Sequence, residues 1–231
     1  MLIKALIVSG IGGLLCLDRI LVQAMISRPI VSGAILGFVL QDPYAGLYVG
    51  AIIELLWLDR LPVGTYIPPN DTVVAIGMVS VSIMAGRELG KVSHELVAFA
   101  ILLLLPVGIL TQRLDAWIIK SNDSLSKRAE QDAWEGNLDG IAGRHLFAIV
   151  RYGLICAAMI FCLFLVGTAL TVMIYPQLPA FALKALALCY YFFPLVGIAV
   201  AMNTINHRGL IPVFSGSFLI FVVIWEFLHG F

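Results

Sequence analysis

Apolar residues fall in blocks along this chain, and the length of each block predicts the element it forms. Crossing the hydrocarbon core of a bilayer takes about 20 residues of helix. Residues 2–26, 96–111, 146–175, 181–202 and 210–231 are full or nearly full length, although Asp18, Arg19 and Gln23 interrupt the first. One lysine, Lys4, precedes the apolar part of that first block and no small-x-small site follows it cleanly, so it reads as a retained helix rather than a cleaved leader. Residues 29–40, 43–58 and 72–86 form shorter blocks of 12, 16 and 15 residues. These cluster in one half and are punctuated by Asp42-Pro43 and Pro68-Pro69. Short, broken apolar segments survive at membrane depth only where protein buries them or where they line a polar cavity. They predict re-entrant or broken helices, a transporter-like architecture.

Composition sharpens this picture. Of 231 residues, 61% are hydrophobic and 12% charged, against about 25% charged in ordinary soluble domains. A globular core cannot absorb that excess, because too few polar groups would remain to cover its outside. The fold class is therefore an all-α polytopic membrane protein. It combines full-length transmembrane helices, short re-entrant or broken helices and a central interfacial amphipathic segment, with the lipid bilayer as one partner. The 14 basic and 14 acidic residues cancel, so no net field argues for nucleic acid. Eleven of these 28 charges lie between Arg113 and Arg144. They divide the chain into an N-terminal membrane half (1–112), a polar connector (113–145) and a C-terminal membrane half (146–231). Leu114, Trp117, Ile118 and Ile119 at the start of the connector read as the interfacial stretch. The remainder, from Ser121 onward, reads as a solvated linker or short helix, and its lysines and arginines favour the cytoplasmic side. Cys16, Cys156, Cys162 and Cys189 all sit in apolar runs without metal-ligand spacing. No metal, cofactor or disulfide framework is expected.

Glu54 is the most informative residue. It stands in Gly50-Ala-Ile-Ile-Glu54-Leu-Leu-Trp57, where a carboxylate is costly unless it faces protein or water. Gly46, Gly50 and Glu54 lie at i, i+4 and i+8 on one helical face, so the carboxylate continues a stripe of small residues. Gly46 with Gly50, and Gly33 with Gly37, form G-x-x-x-G pairs that let helix backbones approach closely. Glu54 therefore points into a helix contact or cavity, as a substrate acceptor, a proton carrier or a structural carboxylate. The Pro- and Gly-rich stretch from Asp59 to Thr72 is a loop in which Asn70 or Asp71 can cap the next helix. It brings Tyr66, Asn70 and Asp71 near Glu54. Acceptors, an amide and an aromatic ring such as Trp57 or Tyr66 are the combination that binds neutral sugars. Simple capping is the alternative for Asn70 and Asp71, and Asp59 with Arg60 reads as an interfacial pair. In the second half, Asn203, Asn206 and His207 share one helical face before Arg208-Gly209 and Pro212. That face is either a second cavity wall or an ordinary helix end. No second catalytic group neighbours His207, and no catalytic residue is assigned.

The segment Ser27-Arg28-Pro29-Ile30, with Gly33-Ala-Ile-Leu-Gly37, Gln41-Asp42, Gly46, Gly50-Ala-Ile-Ile-Glu54-Leu, Gly64 and Pro69-Asn70-Asp71, resembles the mannose/fructose/sorbose-type IIC component of the bacterial sugar phosphotransferase system. The second half is similar as well: Arg151 opens a long apolar run, and Gly197-Ile-Ala-Val-Ala-Met-Asn203 precedes Arg208-Gly209 and Pro212. The resemblance spans nearly the whole chain and is most specific in the first 72 residues. Gln41-Asp42 stands where the family usually has Gly-Asp, and Asp59 where a glycine is common.

This resemblance implies a permease subunit of a phosphoenolpyruvate-dependent phosphotransferase system in the bacterial cytoplasmic (inner) membrane. Its substrate would be a hexose-type sugar, bound in a path shared with a IID membrane subunit in a hetero-oligomer. Cytoplasmic IIA and IIB phosphocarriers would supply the phosphoryl group, the IIC chain itself not being phosphorylated. The substrate-binding residues expected are Glu54, Tyr66, Asn70, Asp71 and Asn203. The competing readings are a proton-coupled secondary transporter with Glu54 and Asp71 as carriers, and a membrane scaffold without transport.

Overall fold

The computed structural model describes residues 1–60 and 62–205, with 212, 213, 216, 217 and 220 from the last block. Most of the 210–231 block, and Asn206, His207, Arg208 and Gly209 of the second polar face, lie outside the described residues. The described chain is built of helices α1 (Leu2–Leu17), α2 (Pro29–Val39), α3 (Pro43–Leu56), α4 (Asp71–Glu88), α5 (His94–Leu104), α6 (Val107–Trp134), α7 (Leu138–Ile174) and α8 (Ala180–Ile205).

The starts of these helices have visible causes. Pro29 and Pro43 open α2 and α3, at the position where a missing N–H leaves no bond unmade. Side-chain oxygens of Asp42, Asn70, Ser93 and Asn137 cap α3, α4, α5 and α7. They accept from the amides of Ala45 (3.0 Å), Val73 (3.2 Å), Leu96 (3.3 Å) and Gly140 (3.0 Å). The 96–111 block, expected as one span, is divided between Leu104 and Val107. Pro106 cannot donate to the preceding turn and its ring displaces that turn's carbonyl. The amides of Gly108 and Ile109 instead bond back three residues, to Leu105 and Pro106, at 3.1 Å each.

Helix α4 is the centre of the molecule. Every residue from Thr72 to Gly86 is buried, and the helix touches α1, α2, α3, α5, α6 and α7. A helix covered on all sides needs no polar face, and at 18 residues α4 is about 27 Å long. Around it, α1 runs antiparallel to α7, with Gly12, Gly13 and Leu17 against Ile160, Ala157 and Gly153. Tyr48 of α3 stacks on Tyr190 of α8 at 4.2 Å, and His94 at the start of α5 stacks on Tyr190 at 4.3 Å.

Helices α2 and α3 form a hairpin whose backbones touch. A Cβ on Gly33 would stand 2.7 Å from the carbonyl oxygen of Gly46, and one on Gly37 would stand 2.8 Å from the Gly46 Cα. A Cβ on Gly50 would run into the carbonyl of Pro29. The two G-x-x-x-G pairs therefore meet each other. At 11 and 14 residues the two helices are about 17 and 21 Å long, too short to cross a bilayer. Protein covers them instead: α4 packs on both, and α8 on α3.

Three stretches, His94–Trp134, Leu138–Gln177 and Ala180–Thr204, are long and apolar enough to cross a membrane. Large apolar side chains such as Leu14, Phe38 and Val166 stand on the outside, where a soluble protein would place polar ones. The charged segment from 113 to 145 is helical almost throughout, and positions 112/113 and 145/146 fall inside α6 and α7. The chain turns at Gly136, in the left-handed region at φ 71°, and the Asp132–Arg144 ion pair closes the hairpin with Asn137 beside it. A solvated linker or a short helix was expected because polar residues dominate there. They are instead the side chains of two helices that continue past the apolar blocks. Within the stretch read as interfacial, Ile118 is buried while Trp117 and Ile119 are exposed.

Two glycines test the hairpin contact. Gly50→Ala must displace the backbone at Pro29, and should lower stability by about 1–3 kcal/mol, read as a lower unfolding temperature in detergent. Gly10→Ala, whose Cβ would meet nothing within 4 Å, should leave that temperature unchanged or slightly higher.

Candidate functional site

A cavity of about 630 Å³ opens between the α1–α2 link, the α3–α4 loop and the facing sides of α6 and α7. This lies within the range of small-molecule sites, roughly 300–1,000 Å³. Its polar wall includes Arg19, Arg28, Arg60, Asp71, Asp115, Asn122, His145 and Tyr152, and Trp57 contributes an aromatic ring.

The α1–α2 link is folded around one buried carboxylate. Asp18 accepts from the amides of Ala24 (2.9 Å) and Ser27 (3.1 Å) and from the Ser27 hydroxyl (3.0 Å). Gln23 and Met25 take left-handed conformations, φ 55° and 63°, to make the turn. Arg19 and Arg28 stand at the two ends of this link. Arg19 pairs with Asp71, the first residue of α4. Arg28 Nη1 pairs with Glu54 Oε1 at 2.7 Å, and Glu54 Oε2 is buried without a partner among the described residues. The Thr72 hydroxyl donates to the Ser27 carbonyl at 2.7 Å, so the link is also fastened to the start of α4.

Asn70 lies beneath Asp71 and is 1% exposed. Its Oδ1 caps α4, and its backbone amide donates to the Thr111 hydroxyl at 3.0 Å. Its Nδ2 donates to Asp115 Oδ2 at 3.1 Å and to the Tyr152 hydroxyl at 3.2 Å. The Trp57 ring packs on Gly108, where a Cβ would come within 2.9 Å of it. Only a residue without a side chain leaves the indole that place beside the cavity.

The five residues expected from the sequence are distributed unevenly. Asp71 lines the cavity. Glu54 reaches the wall through Arg28, and Asn70 supports it from below. Tyr66 is 39% exposed and Asn203 is exposed on α8; neither is part of the lining. Sequence reasoning missed Arg19, Asp115 and Tyr152, and did not pair Arg28 with Glu54. Signals for two of them were present. Asp18-Arg19 breaks an apolar block at depth, and Thr111, Asp115 and Asn122 share a helical face at i, i+4 and i+11. Asp59 and Arg60 form the expected pair at 3.3 Å, on the surface. Among the described residues, no group of three or more His, Cys, Asp or Glu side chains could hold a metal ion.

The profile of the family described as PTS system sorbose-specific IIC component matches residues 2–227. The chain belongs to this family. It is 26% identical to the fructose permease IIC component of Bacillus subtilis (strain 168), over 95% of this chain and 77% of the relative. It is 24% identical to the sorbose-specific EIIC component of Klebsiella pneumoniae, over 94% and 78%. With the mannose-specific EIIC component of Escherichia coli (strain K12) the identity is 22%, over 94% and 78%. Two solved structures share its fold at 21% identity, each over 94% of this chain and 84% of the other. One, described only as a membrane protein, gives a TM-score of 0.72. The other, the cryo-EM structure of the mannose transporter ManYZ with microcin E492, gives 0.61. This IIC component is thus a multi-pass membrane protein of the mannose/sorbose-type phosphotransferase family, and the proton-coupled alternative is not favoured.

Asn70 allows a test that separates its two ends. Aspartate is as good a helix cap as asparagine, but at this position it replaces the Nδ2 donor to Asp115 with an oxygen facing that carboxylate. Asn70→Asp should therefore destabilise the protein more than Asn70→Ser, by about 1–3 kcal/mol. Thermal unfolding of the two variants gives the order directly.

Proposed function

We propose that this chain is the sugar-translocating IIC subunit of a mannose-type system in the bacterial cytoplasmic membrane. It binds a hexose-type sugar in the cavity together with a IID membrane subunit. Cytoplasmic IIA and IIB proteins then phosphorylate the sugar as it is delivered. The observation that carries this reading is the paired-charge wall. Arg19–Asp71 and Arg28–Glu54 present donors and acceptors to the cavity while each pair remains neutral. A neutral polyol needs that: many hydrogen-bonding groups and no net field. Trp57 offers a ring face for the apolar side of a pyranose.

In this reading Asp71, Arg19 and Arg28 touch the sugar, Glu54 holds Arg28 in place, and Asn70 holds the start of α4. Tyr66 and Asn203 reach the sugar only in a site closed over them by the partner subunit. The names of the relatives, permeases for fructose, sorbose and mannose, support a hexose-type substrate. The two-part mannose transporter among the similar structures supports a second membrane subunit.

Uptake of labelled hexoses by cells carrying this chain tests the reading. Transport should require a IID subunit and the phosphoryl donors together. Uptake by this chain alone, driven by a proton gradient, would overturn it. Within the working complex, Asp71→Asn should weaken uptake about tenfold or more, a loss of roughly 1.4 kcal/mol. Arg28→Gln and Glu54→Gln should each weaken it too, and the double variant should be no worse than the more severe single one, because both remove one interaction.

A further inference from the structure

Asp115 differs from the other carboxylates at the cavity. Asp71 and Glu54 each face an arginine, but no described lysine, arginine or histidine nitrogen lies within 4 Å of Asp115. It comes from the middle of the His94–Trp134 stretch, and it lines the cavity. Its direct partner is the Asn70 amide, which reaches Oδ2 at 3.1 Å and Oδ1 at 3.5 Å. A carboxylate offers about four acceptor directions, so most of its capacity is left over.

Tyr152 stands on the same nitrogen. Its hydroxyl oxygen accepts from Asn70 Nδ2 at 3.2 Å, which leaves its own O–H proton without an acceptor among the described residues. Tyr152 also lines the cavity. Asn70 is buried behind both and cannot itself reach a ligand. One amide thus holds an unspent acceptor and an unspent donor side by side, both at the cavity surface. A sugar hydroxyl is the complement of such a set, since it donates one hydrogen bond and accepts others.

We propose that Asp115 and Tyr152 are a specificity-determining pair that reads a single hydroxyl of the sugar. Asp115 accepts the proton of that hydroxyl, and Tyr152 donates to its oxygen. This rests on the cavity being the sugar site and adds which groups discriminate among sugars. A sugar lacking that hydroxyl leaves both groups desolvated and unpaired, and sites of this kind reject such analogues strongly.

The experiment compares uptake of the transported hexose with uptake of its mono-deoxy analogues, one for each hydroxyl. It uses the complete complex with its IID subunit and phosphocarriers, with assembly checked by co-purification. The parent should discriminate against one analogue by about tenfold or more in kcat/KM. Asp115→Asn and Tyr152→Phe should each reduce that discrimination to about twofold or less, at the same analogue. Thr111→Val is the control, because it removes a different support of Asn70 that does not line the cavity. It should shift all sugars together and leave the discrimination intact. If both pair variants keep the parent's discrimination, or shift every sugar alike as Thr111→Val does, the inference is overturned and the pair only braces Asn70. A parent that transports hexose without discriminating against any analogue overturns it as well. A complete complex that transports no hexose overturns the underlying reading along with it.

Discussion

A charge drawn away from water needs a counter-charge or hydrogen bonds inside the protein, and two ion pairs organise one wall of the cavity. Arg19 and Arg28 sit at opposite ends of one link, reaching Asp71 on α4 and Glu54 on α3. The link has the right span because Asp18 gathers the amides of Ala24 and Ser27 inside it. Two residues with left-handed backbone complete the turn. Four helices, α1 to α4, are thereby joined through a segment that has no regular structure of its own.

The glycine contact of the α2–α3 hairpin belongs to the same arrangement. Gly50 lies one turn before Glu54 and packs on the Pro29 backbone, while Arg28 immediately precedes Pro29. The distance over which Arg28 must reach Glu54 is thus set by how closely two backbones approach. A side chain at position 50 would push the arginine away from its carboxylate, even though it touches neither. Packing and electrostatics are one interaction here.

The opposite wall is built differently. Helices α6 and α7 supply Asp115 and Tyr152 to it, and both converge on Asn70, which Thr111 supports from outside the lining. A cap at the start of the most buried helix is thereby tied to the long hairpin that extends to Gly136. The two walls meet at adjacent residues, Asn70 and Asp71. One is spent on holding the structure together, and the other is presented to the cavity.

Much of this was legible in the amino-acid sequence. Block lengths and composition determined a polytopic helical membrane protein. The short broken blocks determined that α2 and α3 do not span, and the spacing of Gly33, Gly37, Gly46, Gly50 and Glu54 placed a carboxylate on a close-packed face. Those are local properties, because helical periodicity and chain length act within one segment. The sequence motifs, matched along residues 2–227, identified the family. The break in the 96–111 block has a local cause in Pro106 itself, whereas the course of the charged segment as two long helices and the choice of Asn70 as cap with Asp71 as cavity residue were decided only by the tertiary structure. The same holds for the pairing of Arg28 with Glu54 and of Asp115 and Tyr152 with Asn70. Those partners are separated by 26 to 82 positions. Nothing in the pattern of one segment determines which distant charge or amide will come to neutralise it. That choice follows from how closely the helices pack and from the cost of leaving any polar group alone once water is gone.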